Sequence, residues 1–262
     1  MKKSCILAGG YGTRLKPFTK RLNKGMAPLY TKEGAIPQIL FPLNTLVNSG
    51  SSEIMIITSR EHCGQLVELL GDGSEYNCNL TYRIQEMNRP VVGIAQALGL
   101  VHDFVCNEDA FGVILGDNYY DDTFKDTFNN FEVSTFKEHF SVSSHPSHRY
   151  PTRAHIFLKS VSDPHRFGVA TLNNDNKVTK IIEKPKEPES SYAVTGLYLY
   201  TPHVFELLPS LVPSARKELE ITDINNFYVN NNGMTATILD SFWHDMGTPE
   251  AARETENFIW NK

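Results

Sequence analysis

Leu7-Ala8-Gly9-Gly10-Tyr11-Gly12-Thr13-Arg14-Leu15-Lys16-Pro17 directly follows the short apolar run 5–8, which reads as a buried strand. A strand that opens into a glycine-rich turn is a place where backbone N–H groups can face a phosphate. Gly9, Gly10 and Gly12 carry no Cβ and tolerate positive φ, so a polyphosphate can come close to the chain. Arg14 follows with a planar fork of donors suited to phosphate oxygens, and Lys24 adds a point charge within reach of the same anion. The glycines and two solvated cations would also make an ordinary turn. Two familiar phosphate loops are excluded. The Walker spacing ending in Gly-Lys-Ser/Thr is absent, and Leu15 stands where the dinucleotide fingerprint needs its third glycine.

The chain has 262 residues, 40% of them hydrophobic, enough for a sizeable core. At roughly 100–200 residues per domain this is one large domain or two small ones. The net charge of −5 and a pI near 6.0 argue against a surface that coats nucleic acid. Cys5, Cys63, Cys78 and Cys106 lie far apart with no C-x-x-C pair, so buried free thiols are expected rather than disulfides or zinc ligands. No apolar run nears the ~20 residues of a membrane span and no signal peptide is evident. The expected location is the cytoplasm, with neither membrane nor nucleic acid as partner.

Strand-like and helix-like segments alternate through the first half. Strands are expected at 53–58, 80–85 and 110–115, and helices at about 37–48, 63–70 and 94–104. This βαβ rhythm predicts an α/β fold with a mainly parallel, Rossmann-like mixed sheet and helices on both faces. Such sheets bind ligands at the carboxyl ends of their strands, where both the glycine loop and Asp117 fall. The segment 141–153 is turn-rich, and its His145 and His148 read as loop residues rather than metal ligands. Further strands are expected near 154–158, 169–172, 178–182 and 193–200, and helices near 204–211 and 222–229. A last helix, about 249–259, starts with Thr248 as cap and Pro249 in the first turn.

Leu115-Gly116-Asp117-Asn118 puts a carboxylate at the end of a strand, and Trp243-His244-Asp245-Met246-Gly247-Thr248 puts another just before the final helix. Two carboxylates with triphosphate oxygens make the hard oxygen shell that Mg²⁺ prefers. Singly, either aspartate would be a turn or cap residue.

The stretch from Leu7, continued through Pro17-Phe18-Thr19, Lys24 and Pro28, resembles the signature of the sugar-phosphate nucleotidylyltransferases. Where that family commonly has bulky residues after the lysine, this chain has Gly25-Met26-Ala27. Phe167-Gly168-Val169, Glu183-Lys184-Pro185 and the segment Tyr192-Ala193-Val194-Thr195-Gly196-Leu197-Tyr198 resemble the family's sugar side. Pro213-Ser214-Ala215-Arg216-Lys217-Glu218-Leu219-Glu220-Ile221-Thr222-Asp223-Ile224-Asn225 resembles a stretch typical of the glucose-1-phosphate thymidylyltransferase subgroup, with Lys217 where the subgroup usually has glycine. Gly93-Ile94-Ala95-Gln96-Ala97, with Gln85 before it, is typical of the same subgroup, although the stretch from Gln85 to Gly93 is a few residues longer here.

The resemblance implies a single nucleotidyltransferase domain over 1–262 with a GT-A-like fold. Its nucleotide-binding part would be about 1–120 and its sugar-phosphate part about 154–262. It implies transfer of a nucleotidyl group from dTTP to a sugar 1-phosphate, glucose 1-phosphate first, giving a dTDP-sugar and pyrophosphate for deoxysugar and polysaccharide biosynthesis. UTP or another hexose 1-phosphate, or an inactive nucleotide-binding module, are the alternatives. Arg14, Lys24, Asp117 and Asp245 would be catalytic, the two aspartates as Mg²⁺ ligands. Leu7, Ala8, Gly9, Gly10, Gly12, Thr13, Arg14, Lys24, Gln85, Gly93 and Asp117 would bind the nucleotide. Asn118, Gly168, Glu183, Lys184, Val194, Thr195, Gly196 and Trp243 would bind the sugar phosphate. A second copy of the chain stays open as a partner.

Overall fold

The computed structural model describes residues 1–10, 12–86, 93–142 and 150–262, with residues 133 and 136–142 described by backbone alone. Tyr11, the middle of the long 85–93 stretch, and the histidines of the 141–153 segment lie outside the described residues. In chain order the elements are β1 (Lys3–Leu7), β2 (Pro28–Thr31), β3 (Gly34–Pro37), α1 (Leu40–Asn48), β4 (Glu53–Ser59), α2 (Arg60–Leu70) and β5 (Asn79–Gln85). They continue as α3 (Ile94–Gly99), α4 (His102–Val105), β6 (Phe111–Leu115), β7 (Asn118–Tyr120), α5 (Lys125–Val142), β8 (Ala154–Ser160), β9 (Gly168–Leu172) and β10 (Val178–Glu183). The remainder is β11 (Tyr192–Tyr200), α6 (Val204–Leu207), α7 (Ile221–Asn230), β12 (Met234–Ile238), β13 (Trp243–Asp245) and α8 (Pro249–Trp260). The chain forms two interleaved units.

The amino-terminal unit comprises Lys2–Asn88, Ile114–Lys125 and Ser241–Lys262. Its parallel strands are the buried runs of the sequence. β1 pairs β4 with Leu7 opposite Ile57, and β4 pairs β5 with Ser59 opposite Gln85. Cys5, Ile6, Ile54, Ile56 and Ile57 are fully buried, the near-continuous apolar pattern of a parallel sheet covered on both sides. α2 ends at Gly71, whose φ of 56° stops it. A hairpin joins β2 to β3, and β7 pairs antiparallel with β13, bringing Asn118 opposite Asp245. Beneath that ribbon Leu29, Tyr119 and Met246 form a buried cluster against Phe41, Phe242 and Phe258. The Phe242 and Phe258 rings stack at 4.0 Å. α8 starts as expected, with the Thr248 side chain accepting from Ala251 N–H at 3.2 Å and Pro249 in the first turn.

The central unit comprises Met1, Arg89–Val113 and Asp126–Asp240. Here β9 and β10, β9 and β11, and β8 and β11 pair antiparallel, while β12 pairs β8 in parallel. β11 is irregular against β8 between Val194 and Tyr198, so the segment Thr195 to Leu197 leaves the ladder. Two expected helices of this unit are shorter than the sequence suggested, as is α1 in the amino-terminal unit, which begins at Leu40 because Pro37 ends β3. The 94–104 segment breaks at Gly99 into α3 and α4, with Leu100 N–H and Val101 N–H reaching back only three residues, to Ala97 and Leu98. The 204–211 segment ends as an α-helix at Leu207, because Pro209 has no N–H to continue it, and closes in the 3₁₀ turn Leu208–Ser210. The hairpin, β7, β12 and β13 add to the elements read from sequence, and α5 is the helix expected to start near Thr123. No described helix is long and apolar enough to cross a membrane.

Candidate active site

In the amino-terminal unit, β1 delivers Leu7 and Ala8 to the loop, and Ala8 N–H still bonds the Ile57 carbonyl at 2.7 Å. A Cβ on Gly9 would stand 2.2 Å from Gln85 Oε1, so the Gln85 amide lies against the loop backbone. Gly10 has open space where its Cβ would be. Gly12 has φ 57°, and a Cβ there would meet Thr19 Cγ2 at 2.7 Å. Glycine is therefore required at 12 both by conformation and by packing. The Thr19 hydroxyl donates to the Gly12 carbonyl at 2.7 Å and closes the loop. Thr13 and Arg14 sit in the following 3₁₀ turn, Thr13–Leu15.

Lys24 is placed by Asn23, which is buried. Its Nδ2 donates to the Ala8 carbonyl at 3.1 Å, and its Oδ1 accepts from Gly25 N–H at 2.7 Å. The bulk missing at Gly25 is supplied by Ile39, whose Cβ lies 3.0 Å from where a Gly25 Cβ would be. Lys24 Nζ forms an ion pair with Asp117 Oδ2. Burial alone would raise the Asp117 pKa, but the Lys24 ammonium and its hydrogen bond hold it below the ordinary carboxylate value. Asp117 also accepts from Asn118 Nδ2 at 3.3 Å. Asn118 Oδ1 in turn accepts from Trp243 Nε1 at 2.7 Å.

Asp245 completes this cluster from β13. Its Oδ1 accepts from Gly247 N–H at 2.8 Å, and Met246 N–H donates to the Asp117 carbonyl at 2.8 Å. Gly247 leaves room around both acids: a Cβ there would meet Asp245 Oδ1 at 2.8 Å, Arg14 Nη2 at 3.0 Å and Asp117 Oδ2 at 3.2 Å. Burial first, then the Asp117 charge, pushes the Asp245 pKa up to about 6 against the pull of Lys24 and Arg14. Two carboxylates side by side, Asp117 buried and Asp245 half-buried and reluctant to ionise, form a pair that a divalent cation would complete. No third His, Cys, Asp or Glu joins them among the described residues. Further oxygen ligands would come from a bound phosphate chain and water.

The central unit holds the second group of expected residues. Glu183 ends β10 opposite Gly168. Its Oε2 accepts from the Thr222 hydroxyl at 2.6 Å, and its Oε1 from Arg216 Nη2 at 3.1 Å. Lys184 Nζ lies 3.6 Å from that same Oε1, so two cations converge on one carboxylate oxygen. Lys184 has φ 44°, and its N–H donates to the Phe167 carbonyl at 2.9 Å. A Cβ on Gly168 would meet Glu183 Oε2 and Thr222 Oγ1, both at 3.4 Å. Val194, Thr195 and Gly196 lie at the start of the irregular part of β11. Gly93, at φ 139°, packs on the strap before α7: a Cβ would stand 2.6 Å from the Leu219 carbonyl oxygen.

Arg216, Thr222 and Asn23 are the contributors whose contacts the sequence did not reveal. Arg216 binds Glu220 at 2.7 Å and Glu218 at 3.5 Å as well as Glu183. A basic residue inside the acidic run 216–223 was the available signal.

A glycine loop at the end of a parallel strand, with a pair of acids beside it, belongs to enzymes that move phosphate groups. Residues 3–262 match the family model described as nucleotidyl transferase, and the chain belongs to that family of enzymes. More particularly, it is 35% identical over 260 residues to a glucose-1-phosphate thymidylyltransferase of Neisseria meningitidis, covering 98% of this chain and 82% of the relative. It is 36% identical over 261 residues to the Xanthomonas campestris glucose-1-phosphate thymidylyltransferase, covering 98% and 80%. Among solved structures, a Bacillus anthracis protein provisionally named a glucose-1-phosphate thymidylyltransferase, in complex with sucrose, superposes with a TM-score of 0.85. That match is 41% identical and covers 100% of this chain and 96% of the other. A UDP-glucose pyrophosphorylase complexed with UDP-glucose shares the fold at a TM-score of 0.79 and 22% identity, covering 98% of each chain.

Proposed function

We propose that this enzyme transfers the nucleotidyl group of dTTP to glucose 1-phosphate, giving a dTDP-sugar and pyrophosphate. The relatives' names supply the substrate pair. The observation that carries the chemistry is the Asp117–Asp245 pair with Lys24 and Arg14 around it. A phosphate oxygen of the sugar 1-phosphate forms a bond to the α-phosphorus. The bond from that phosphorus to the bridging oxygen breaks, and the oxygen leaves with the electron pair as pyrophosphate. The nucleophile is already an anion at neutral pH, so no general base is needed. The protein's task is to offset charge on the transferred phosphorus and leaving group.

In this reading the loop from Leu7 to Thr13 and Arg14 hold the triphosphate. Lys24 would be shared between Asp117 and the phosphate chain, and Gln85 and the Gly93 backbone would each meet the base. Asp117 and Asp245 would hold Mg²⁺, which would neutralise phosphate oxygens and favour departure of pyrophosphate. On the sugar side, Glu183 is acceptor-only when ionised and suits adjacent hydroxyls. Lys184, joined by Arg216, would meet the sugar's phosphate, and Asn118, Gly168, Val194, Thr195, Gly196 and Trp243 are each proposed to contact the sugar phosphate. Most of the proposed nucleotide-binding residues belong to the amino-terminal unit and most of the proposed sugar-phosphate residues to the central unit, the exceptions being Gly93 on the one side and Asn118 and Trp243 on the other. The enzyme would work in the cytoplasm, where both substrates are made.

The test is pyrophosphate release across a panel of sugar 1-phosphates and nucleoside triphosphates. Turnover should require both substrates and a divalent ion, with dTTP and glucose 1-phosphate preferred. Asp117→Asn and Asp245→Asn should each lower kcat by roughly 10²–10³ while the fold persists. Near-wild-type turnover with unchanged Mg²⁺ dependence would remove that aspartate from the site.

A further inference from the structure

The carboxyl edge of the amino-terminal unit's strands carries a histidine that the reaction as drawn does not use. Ser59 and Gln85 are register partners, so their side chains leave the same face of the sheet. Continuing the Leu7–Ile57 register of β1 and β4 places Gly9 across from Ser59. Gln85 Oε1 reaches the position of the absent Gly9 Cβ. The Gln85 side chain therefore reaches the glycine loop from β5, with β4 and Ser59 lying between β5 and β1.

Ser59 is the N-cap residue of α2, yet its side chain makes no capping bond to the helix backbone. A serine cap bond ordinarily contributes on the order of 1 kcal/mol. Here the hydroxyl instead meets His62 Nδ1 at 3.0 Å. This contact orients a half-buried imidazole on the first turn of α2, which leaves the end of β4 that lies next to Gln85 on β5. Its Nε2 meets no partner among the described residues.

We propose that His62 is a specificity-determining residue for the nucleobase, reading the 4-carbonyl of a 2,4-dioxopyrimidine. With the Ser59 hydroxyl donating to Nδ1, the neutral ring presents Nε2–H as a donor. Thymine and uracil offer a carbonyl oxygen at position 4. Cytosine offers an amino group there, so donor would face donor. The inference rests on the nucleotidyl-transfer reading above and on Gln85 lying at the base.

The experiment compares kcat/KM for dTTP and dCTP, at saturating glucose 1-phosphate, in wild type and three variants. His62→Ala should lower the dTTP-to-dCTP ratio by about 3- to 10-fold, the worth of one neutral hydrogen bond. The KM for glucose 1-phosphate should not change. His62→Gln, which keeps a donor, should recover part of the ratio. Ser59→Ala should shift the ratio in the same direction, because the hydroxyl that orients the imidazole is lost. Equal losses on both nucleotides, or an unchanged ratio in His62→Ala, overturn the inference. So does a fall in Tm for Ser59→Ala with the ratio intact, which would make the serine a helix cap. A wild type that releases no pyrophosphate with any pair would overturn the reaction itself, a different failure from these.

Discussion

Lys217 stands at φ 59°, in a turn closed by its own N–H to the Ser214 carbonyl at 2.8 Å and by Ser214 N–H to the Glu218 carbonyl at 2.9 Å. The subgroup usually has glycine here, and the left-handed backbone is the physical reason. An L-residue in that region costs about 1–2 kcal/mol. Glycine returns part of that through its larger unfolded-state entropy. Lys217→Gly should therefore raise the unfolding free energy by about 0.5–1 kcal/mol, read from the urea midpoint at constant m. A lower midpoint would mean that the lysine side chain makes contacts outweighing the strain. The small residues after Lys24 also have a local cause, and so does Met246 where the family commonly has threonine or alanine. Ile39 fills the space above Gly25, and Met246 is fully buried against Leu29 and Tyr119. The glycine loop, Lys24, Asp117 and Asp245 were legible because each lies in a contiguous motif whose spacing carries its meaning. The contacts of Arg216 and Thr222 with Glu183 were not, because they join residues 33 and 39 positions apart.

Elements dominated by one strong local pattern were readable, and those made by distant pairing were not. The apolar runs of β1, β4 and β6 declare themselves. β7 is three residues long, and its partner β13 lies beyond residue 240, so neither has a periodicity to detect. β12 adds to β8 in the same way and shapes an unusual pair of hydrogen bonds. His155 on β8 places Nδ1 2.8 Å from the Thr235 hydroxyl and Nε2 3.0 Å from the Thr237 hydroxyl, both on β12. Burial first, then the Arg153 charge, lowers its pKa from 6.5 to about 4. The unfolded chain therefore binds more protons than the folded one between those values, and stability rises with pH across that window. The contribution is present above pH 6.5 and is lost as pH falls through about 4, about 3 kcal/mol in all by linkage. His155→Gln keeps hydrogen-bonding groups but cannot titrate. Urea midpoints for the two proteins should run parallel above pH 7 and diverge below pH 6, with the wild type falling faster. Parallel profiles down to pH 4.5 would show that the histidine is not held neutral by the fold.

At the scale of the whole molecule, each unit gathers separate stretches of chain, so no cut at one point in the sequence could separate them. The pairing of β7 with β13 shows why: Asp117 is carried next to β7, and Asp245 arrives from the far end of the chain on β13. Such an arrangement ties ligand binding to folding stability. A ligand that binds only the folded chain stabilises it by about 2.7 kcal/mol at one hundred times its dissociation constant. With dTTP alone, Arg14, Lys24 and the loop N–H groups would supply the affinity, opposed by the two carboxylates. Adding Mg²⁺ should turn those carboxylates from repulsive neighbours into ligands, so dTTP with Mg²⁺ should raise Tm well beyond dTTP alone. Asp245→Asn should behave differently in two respects. Without ligand its Tm should equal or exceed that of the wild type, because a half-buried acid resisting ionisation beside Asp117 is replaced by a neutral isostere. With dTTP present, the extra shift on adding Mg²⁺ should largely vanish while the shift from dTTP alone remains. Calorimetric scans with and without a chelator measure both effects. An undiminished Mg²⁺-dependent shift in Asp245→Asn would show that the ion is held without this carboxylate.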